Sequence, residues 1–352
     1  MIYAYIGSYT QGRREGIAVH RYDPATGQLQ LIQTVETLAN PTFLAIHPSK
    51  RFLYAVSEVG DYDSKPQTAA SAFAINLASG QLTLLNHVGC PGKGACHITL
   101  DPGVRFVVLA NYGDGTVTVL PIRADGSLGE ATDFIQHEGH GPHPNQDHAH
   151  AHSTTFSLDG RVAYIADLGI DKLMAYRLDD GKLVAHSIPF LSLASGAGPR
   201  HFDFHSNGKW GYIINELDST LVVVDYDAAT SELRPKQTIS TLPEDFGETN
   251  YCADVHVHSS GKFVYGSNRG HNSIVIFTIG ATGLITLAGH QSTHGSWPRN
   301  FGIDPAGKFM LVANEKSDSI VAFAIDEQAG LLTPTGFTLN TPKPVCIKFL
   351  ES

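Results

Sequence analysis

The sequence contains little cysteine. Only four of its 352 residues are cysteines, at positions 90, 96, 252 and 346, and no two of them form a CxxC pair. Because their spacing fits no regular disulfide framework, it favours a reduced, intracellular chain.

Basic residues are also in the minority. The 24 lysines and arginines are outnumbered by 34 aspartates and glutamates, so the formal net charge is −10. No basic stripe runs along any part of the chain. Nucleic-acid binding needs a positive surface and is therefore not expected. A few local arginines could still hold a small anionic substrate.

Long hydrophobic runs are missing as well. No segment approaches the roughly 18 apolar residues that a membrane-spanning helix needs. The first residues, Met1–Gly7, have no basic region, and their apolar run is too short for a signal peptide. We therefore expect a cytoplasmic protein without a membrane partner. No amphipathic helix pattern alternates with the strands, which argues against a two-domain α/β fold.

What the sequence does contain is a repeat. With 35 glycines, 18 prolines and 42% hydrophobic residues, the composition favours many short strands separated by turns. An apolar strand, a turn such as Asp-Pro-x-Gly-Lys and a second strand ending in a polar residue recur about every 50 residues. The seven polar end residues are Ser8, Ser57, Asn111, Asp167, Asn215, Asn268 and Asn314.

Each repeat predicts one four-stranded blade. Two further β-rich stretches follow each polar end residue, which gives an antiparallel meander. The chain begins at a second strand, and the segment Pro344–Phe349 resembles a first strand with nothing after it. We therefore predict an all-β, single-domain, seven-bladed β-propeller over residues 1–352. Its ring closes by pairing the C-terminal strand with the N-terminal blade.

The repeat alignment also predicts where chemistry is concentrated. In each blade the start of the first strand lies beside the end of the second, because the two are antiparallel neighbours. If the first strand lines the central channel, residues at these two positions meet at one mouth. They include three arginines, three glutamates and a histidine: His152, Arg200, Arg299, Glu58, Glu216, Arg269 and Glu315.

Neighbouring positions extend this set. His201 follows Arg200 in the first strand of its blade, and Asn111, Asn215 and Asn268 end second strands. The alternative is a structural ring of surface salt bridges, with asparagines that only close turns. We expect a functional site, because a strand end alone does not require three arginines and three glutamates.

A histidine-rich segment precedes one of these residues. Six histidines lie between His137 and His152, in a stretch rich in glycine and proline. On a strand, His148, His150 and His152 would share one face and could bind a metal ion. The alternative is a polar loop whose last histidine enters the channel mouth. We favour this alternative and expect neither a metal nor a cofactor.

The repeats resemble a known family along essentially the whole chain. The motifs that carry the resemblance are His150-Ala-His-Ser153, Pro199-Arg-His201, Asn215-Glu216, Ser267-Asn-Arg-Gly-His-Asn-Ser-Ile274, Pro298-Arg-Asn-Phe301 and Ala313-Asn-Glu315. They are similar to those of the seven-bladed propeller lactonases. That family includes one type of bacterial 6-phosphogluconolactonase and a fungal carboxymuconate-lactonising enzyme. The resemblance implies that His152, Arg200, Glu216 and Arg269 are catalytic.

The implied function is hydrolysis of a sugar-acid lactone, in carbohydrate metabolism, with 6-phosphogluconolactone as the expected substrate. Arg200 or His152 would stabilise the oxyanion, and Glu216 would activate water. Arg269 and Arg299 would hold the phosphate, and His201, Glu58, Glu315 and the asparagines would add further contacts to the substrate. Two alternatives stay open. One is a cycloisomerase acting on a carboxymuconate-like compound, and the other is a propeller that only binds proteins.

Overall fold

A computed structural model describes residues 1–352 as seven four-stranded antiparallel sheets. This confirms the predicted all-β propeller. The only helical elements are two short 3₁₀ turns at Leu168–Ile170 and Glu315–Ser317, each following a second strand. No helix in the structure has the length and apolar character needed to span a membrane.

In each blade the strands run outward from the central channel. The first blade combines β28 (Pro344–Glu351) with β1 (Ile2–Ser8), β2 (Glu15–Asp23) and β3 (Gln28–Glu36). The other blades are β4 (Leu44–Ile46), β5 (Phe52–Ser57), β6 (Thr68–Ile75) and β7 (Leu82–Cys90); β8 (Ala95–Leu100), β9 (Phe106–Asn111), β10 (Thr116–Pro121) and β11 (Asp133–Gln136); β12 (Ala151–Phe156), β13 (Ala163–Asp167), β14 (Lys172–Asp179) and β15 (Lys182–Ser192); β16 (Pro199–Phe204), β17 (Trp210–Asn215), β18 (Thr220–Asp227) and β19 (Glu232–Ser240); β20 (Tyr251–Val257), β21 (Phe263–Arg269), β22 (Ser273–Ile279) and β23 (Ile285–Ser292); β24 (Pro298–Ile303), β25 (Phe309–Asn314), β26 (Ser319–Ile325) and β27 (Leu332–Asn340).

The seven inner strands form a closed ring. β4 contacts β8, β8 contacts β12, and the contacts continue in chain order to β28, which contacts β4. The C-terminal strand pairs with β1, with Ile2 opposite Glu351 and Gly7 opposite Cys346. The predicted closure of the ring by the two terminal strands is therefore confirmed.

Neighbouring blades interlock through a repeated contact between an aromatic ring and a glycine. An aromatic residue near the start of the second strand packs against a glycine in the outermost turn of the next blade. The six pairs are Tyr3–Gly80, Phe52–Gly126, Phe106–Gly181, Trp210–Gly283, Phe263–Gly330 and Phe309–Gly27. Each of these glycines has a φ between 72° and 86°, and a Cβ there would lie within 3 Å of the ring. Glycine is thus required both by the backbone conformation and by the close contact.

Tyrosines strengthen the same junctions. Two residues further along the second strand, Tyr5, Tyr164, Tyr212 and Tyr265 each donate a hydrogen bond to a carbonyl oxygen in the outermost turn of the next blade. These bonds are 2.5 to 3.1 Å long. Because the phenol is otherwise buried, this bond satisfies its polar end while the ring fills the space between blades.

Candidate active site at one channel mouth

β-Bulges place the candidate residues at the channel mouth. Six inner strands shift register near their first residues, and the residues left without a partner are Cys96, His152, Arg200, Ala253 with Asp254, Arg299 and Val345. Sequence periodicity placed most of these residues at the first strand position. Most of these strands instead begin one residue before the predicted position. The predicted residue is then the second of its strand, and the bulge turns its side chain out of the regular alternation.

Five of these bulged side chains converge on one narrow cavity of about 10 Å³, roughly the room that one water molecule occupies. It is lined by Thr42, Phe43, Cys96, His152, Arg200, His201, Arg299, Asn300 and Val345. A sugar lactone is much larger than this cavity. The ligand must therefore lie at the open rim and project only a small group inward.

A larger cavity of about 540 Å³ opens elsewhere along the channel. None of the predicted site residues lines it, and its titratable residues are His97, Asp101, Asp203 and Lys348. Size alone therefore does not identify the site. The arginine-rich mouth holds the groups suited to an anionic ester.

Two arginines share one carboxylate at this mouth. Arg200 Nε donates to Glu216 Oε2 at 2.9 Å, and Arg269 Nη2 lies 2.6 Å from the same oxygen. All three side chains are largely buried. The other carboxylate oxygen, Oε1, accepts no hydrogen bond from the protein. This trio holds two guanidinium groups rigidly beside the cavity.

The trio fixes the charge of Glu216. Burial alone raises the pKa of this carboxyl, but Arg269, Arg200 and Arg299 outweigh burial and hold its pKa below the ordinary value. Conversely, burial and the neighbouring cations Arg269 and Arg299 lower the pKa of Arg200 to about 10. The three arginines thus lie close enough to repel one another, and an anionic ligand would relieve that repulsion.

His152 lies among these cations as a neutral imidazole. Burial, followed by the field of Arg200, holds its pKa well below the usual value. Neither ring nitrogen has a hydrogen-bond partner in the protein, and Nδ1 is fully enclosed. The ring meets Tyr112 and His201 edge-on, with centroids 5.6 and 5.3 Å away. A neutral imidazole with a free nitrogen is able to accept a proton.

Arg299 is the cation with free donors. Its guanidinium lies 5.5 Å from the centre of the Tyr9 ring and makes no hydrogen bond or ion pair. Although burial opposes its charge, Tyr9 and the carboxylates of Glu58 and Glu315 raise its pKa. Glu58 is itself occupied, because it accepts from Tyr9 at 2.8 Å and from Thr42 at 2.6 Å. Arg299 therefore stays charged with its N–H groups available.

His201 connects the mouth to a buried carboxylate that sequence analysis did not identify. Its Nδ1 lies 2.7 Å from Asp254 Oδ1, and its Nε2 lies 3.2 Å from Arg200 Nη1. Because guanidinium only donates, Nε2 accepts and Nδ1 carries the proton to Asp254. Asp254 also contacts His256 at 3.0 Å and the amide of Asn300. Although burial opposes its charge, the charges and hydrogen bonds of His256 and His201 hold the pKa of Asp254 well below its ordinary value.

The asparagines require a correction. We expected Asn111, Asn215 and Asn268 to bind substrate, but each is at most 1% exposed and lies inside its blade. Asn111 donates to the hydroxyls of Thr116 and Thr118, and Asn215 donates to Thr220. These bonds tie the ends of second strands to their third strands, so the asparagines close turns.

Three further residues at this mouth were not singled out by sequence analysis. Tyr9 holds Glu58, Tyr112 lies beside His152, and Trp297 is stacked between cations. The Arg269 guanidinium lies 5.5 Å from the Trp297 ring centre and Lys316 Nζ lies 3.1 Å from it. Trp297 is one of only two tryptophans in the chain, and it directly precedes Pro298. Its rarity and its position were the sequence signals that could have identified it as a mouth residue.

The histidine-rich segment is a fixed loop. His137 Nδ1 lies 2.7 Å from Asp167, and buried Gln146 donates to Leu168 and to Asp171. The segment ends where β12 begins, so only His152 belongs to the strand and enters the mouth. The loop and the bulge thus separate His152 from the other histidines.

Comparison with known proteins finds relatives along essentially the whole chain. The sequence profile of the family described as "Lactonase, 7-bladed beta-propeller" matches residues 3–349. The chain is 37% identical to the 6-phosphogluconolactonase of Bacillus subtilis over 348 residues, covering 99% of this chain and 98% of the relative. It is 35% identical to the 6-phosphogluconolactonase of Formosa agariphila, covering 93% and 94%. The structure of the periplasmic gluconolactonase of Pseudomonas aeruginosa superposes with a TM-score of 0.95, at 31% identity, covering 100% and 99%.

Proposed function

The chain belongs to the seven-bladed β-propeller lactonase family, and we propose that it hydrolyses 6-phosphogluconolactone to 6-phosphogluconate. The observation that supports this substrate is that Arg299 is a charged guanidinium without a partner, beside two buried arginines. A phosphate is the kind of group that a planar guanidinium binds best. The relatives favour hydrolysis over the cycloisomerase and binding-only alternatives.

We assign the base to His152 rather than to Glu216. A carboxylate with a lowered pKa, already paired with two guanidinium groups, is a weak proton acceptor. His152 is neutral, unpaired and adjacent to the same cavity. Burial is the main cause of the lowered pKa of His152, and the neighbouring cations add to it. Binding of a phosphate near Arg299 reduces that cationic field and so raises the pKa of His152.

The reaction then runs through a tetrahedral intermediate. His152 takes a proton from water as the water oxygen bonds to the lactone carbonyl carbon. The guanidinium of Arg200, oriented by Glu216, stabilises the oxyanion that forms. As the ring C–O bond breaks, His152 returns the proton to the leaving oxygen. The products are a hydroxyl and a carboxylic acid, which ionises.

The test is hydrolysis of freshly prepared 6-phosphogluconolactone with spontaneous hydrolysis subtracted. His152→Ala should lower kcat by about 10²–10⁴-fold, the usual contribution of a general base. The exposed His140→Ala, on the same loop, is the matched control and should leave kcat unchanged. Near-normal turnover by His152→Ala would exclude this base.

The pH profile separates the two candidate bases. His152 must be deprotonated to act, and its pKa in the free enzyme is lowered, so kcat/KM should fall only as pH drops well below about 6.5. Glu216→Gln should be slower yet keep that acid limb. If Glu216→Gln removes the limb, then Glu216 is the base.

We also propose that the protein works in the cytoplasm. All four cysteines are buried and unpaired, which is compatible with a reducing compartment. Fractionation of the native cells, with activity measured in each fraction, tests this.

A further inference from the structure

A second polar cluster lies outside the catalytic mouth, on the loop that leads into β12. Asp147 Oδ1 is 3.0 Å from His148 Nδ1 and 3.1 Å from His150 Nε2. The three atoms all lie within 4.8 Å of one another. The proposed reaction does not use this cluster.

In each ring one nitrogen faces Asp147 (the inner nitrogen) and the other faces away from it (the outer nitrogen). The contacts of the outer nitrogens show which nitrogen carries the proton. His150 Nδ1 is 2.7 Å from the carbonyl oxygen of Tyr112, and His148 Nε2 is 3.3 Å from that of Gly113. A carbonyl oxygen only accepts, so each of these nitrogens carries a proton. In the neutral rings the inner nitrogens are therefore bare lone pairs that face the Asp147 carboxylate.

Three acceptor atoms thus converge with no donor between them. No lysine or arginine lies within ion-pair distance of Asp147. Outer ring nitrogens that donate to backbone carbonyls, while inner nitrogens converge with a carboxylate, are the arrangement that orients histidines on a metal ion. We propose that Asp147, His148 and His150 form a binding site for a divalent transition-metal ion such as Zn²⁺.

The two distances from Asp147 to the histidine nitrogens fit such an ion. Zinc binds histidine nitrogen at about 2.0–2.1 Å and carboxylate oxygen at about 2.0–2.2 Å, which separates tetrahedral ligand atoms by roughly 3.3 Å. The two contacts to Asp147 are close to this separation. Asp147 and His148 are open to solvent, so an ion is able to enter and keep a water ligand.

The backbone around the cluster is rigid. A Cβ on Gly169 would lie 1.9 Å from the carbonyl oxygen of His148, and one on Gly115 would lie 2.2 Å from that of Ala149. The segment is therefore held closely between two neighbouring turns that only glycine permits. The His150 ring also stacks on Tyr112, with ring centres 4.4 Å apart. The backbone of the segment and the His150 ring are thus in place before any ion binds.

This site differs from the one that the sequence suggested. A strand with His148, His150 and His152 on one face was the arrangement considered, and no metal was expected. The strand begins only at Ala151, and the bulge turns His152 toward the channel. Asp147 supplies the third ligand instead. The inference is independent of the proposed lactone hydrolysis.

Calorimetric titration of the chelator-treated full-length protein with Zn²⁺ tests the proposal. We expect one ion per chain for the wild type. His148→Ala and Asp147→Ala should each weaken binding at least ~100-fold, because each removes a direct ligand. His140→Ala, on the same loop but outside the cluster, should bind like the wild type. Thermal unfolding of each variant verifies that it is folded.

Titration with Co²⁺ gives a second readout. A site with nitrogen and oxygen ligands and low coordination number should give visible d–d absorption that is absent in His148→Ala. Equal Zn²⁺ affinity in wild type and His148→Ala would overturn the proposal. So would the absence of binding to the wild type, since Asp147 then only pairs with a protonated histidine.

Discussion

At the scale of single residues, the sequence was most informative about charged side chains and least about their partners. Repeat alignment placed His152, Arg200 and Arg299 together, because identical register positions converge in a propeller. It could not identify Asp254, whose role comes from contacts with His256 on its own strand and with His201 on the neighbouring inner strand. The contact with His201 depends on how adjacent blades face each other across the channel, and no local pattern encodes that.

Arg299 should decide the preference for a phosphorylated lactone. Arg299→Gln should raise KM for 6-phosphogluconolactone by roughly 10–100-fold, the usual effect of one or two charge-assisted hydrogen bonds. KM for unphosphorylated gluconolactone should stay unchanged. Steady-state kinetics on both lactones, beside the exposed Arg21→Gln, measure this. An equal rise for both substrates would mean that Arg299 does not bind the phosphate.

Asp254 should act as a positioning residue. It fixes the His201 tautomer that accepts from Arg200, so Asp254→Asn should lower kcat while leaving KM nearly unchanged. Asn300→Ala removes a different partner of Asp254 and keeps the tautomer, so it should retain most of kcat. If Asp254→Asn changes only the melting temperature, the carboxylate is purely structural.

At the scale of strands and turns, the four-strand meander was predictable because polar end residues and glycine turns recur. The β-bulges were not, since an extra residue in a strand leaves the hydrophobic pattern almost unchanged. For the same reason Asn111 and its equivalents were assigned to the mouth. Asn111 and Asn215 occupy the last paired position of their strands and, like Asn268, are buried in the blade.

The glycine turns allow strain and close packing to be measured separately. Gly247→Ala changes a glycine with no left-handed φ and no close neighbour and should be nearly neutral. Gly336→Ala places an alanine at a left-handed φ where no atom is close, and it should lower the free energy of unfolding by about 1–2 kcal/mol. Gly283→Ala adds a collision with Trp210 and should cost roughly 2–5 kcal/mol. Denaturant unfolding measures all three, and equal losses at Gly336 and Gly283 would contradict the interlock.

At the scale of the whole molecule, stability depends on closing the ring. Deletion of residues 344–352 removes β28, exposes the inner edge of β1 and opens the ring of inner strands. We expect the cooperative thermal transition to disappear rather than to shift. Deletion of residues 351–352 alone is the control and should preserve the transition. Calorimetry on both variants distinguishes a closed ring from a stack of independent blades.

The bulges have a consequence for how such a protein changes over generations. Five of the bulged residues contribute a side chain to the mouth cavity without pairing in the strand ladder. Positions as different as Cys96, His152, Arg200 and Val345 therefore occupy equivalent places in the same backbone. Point mutations there alter the reactive groups and leave the scaffold intact, so a new substrate becomes accessible through single, tolerated evolutionary steps.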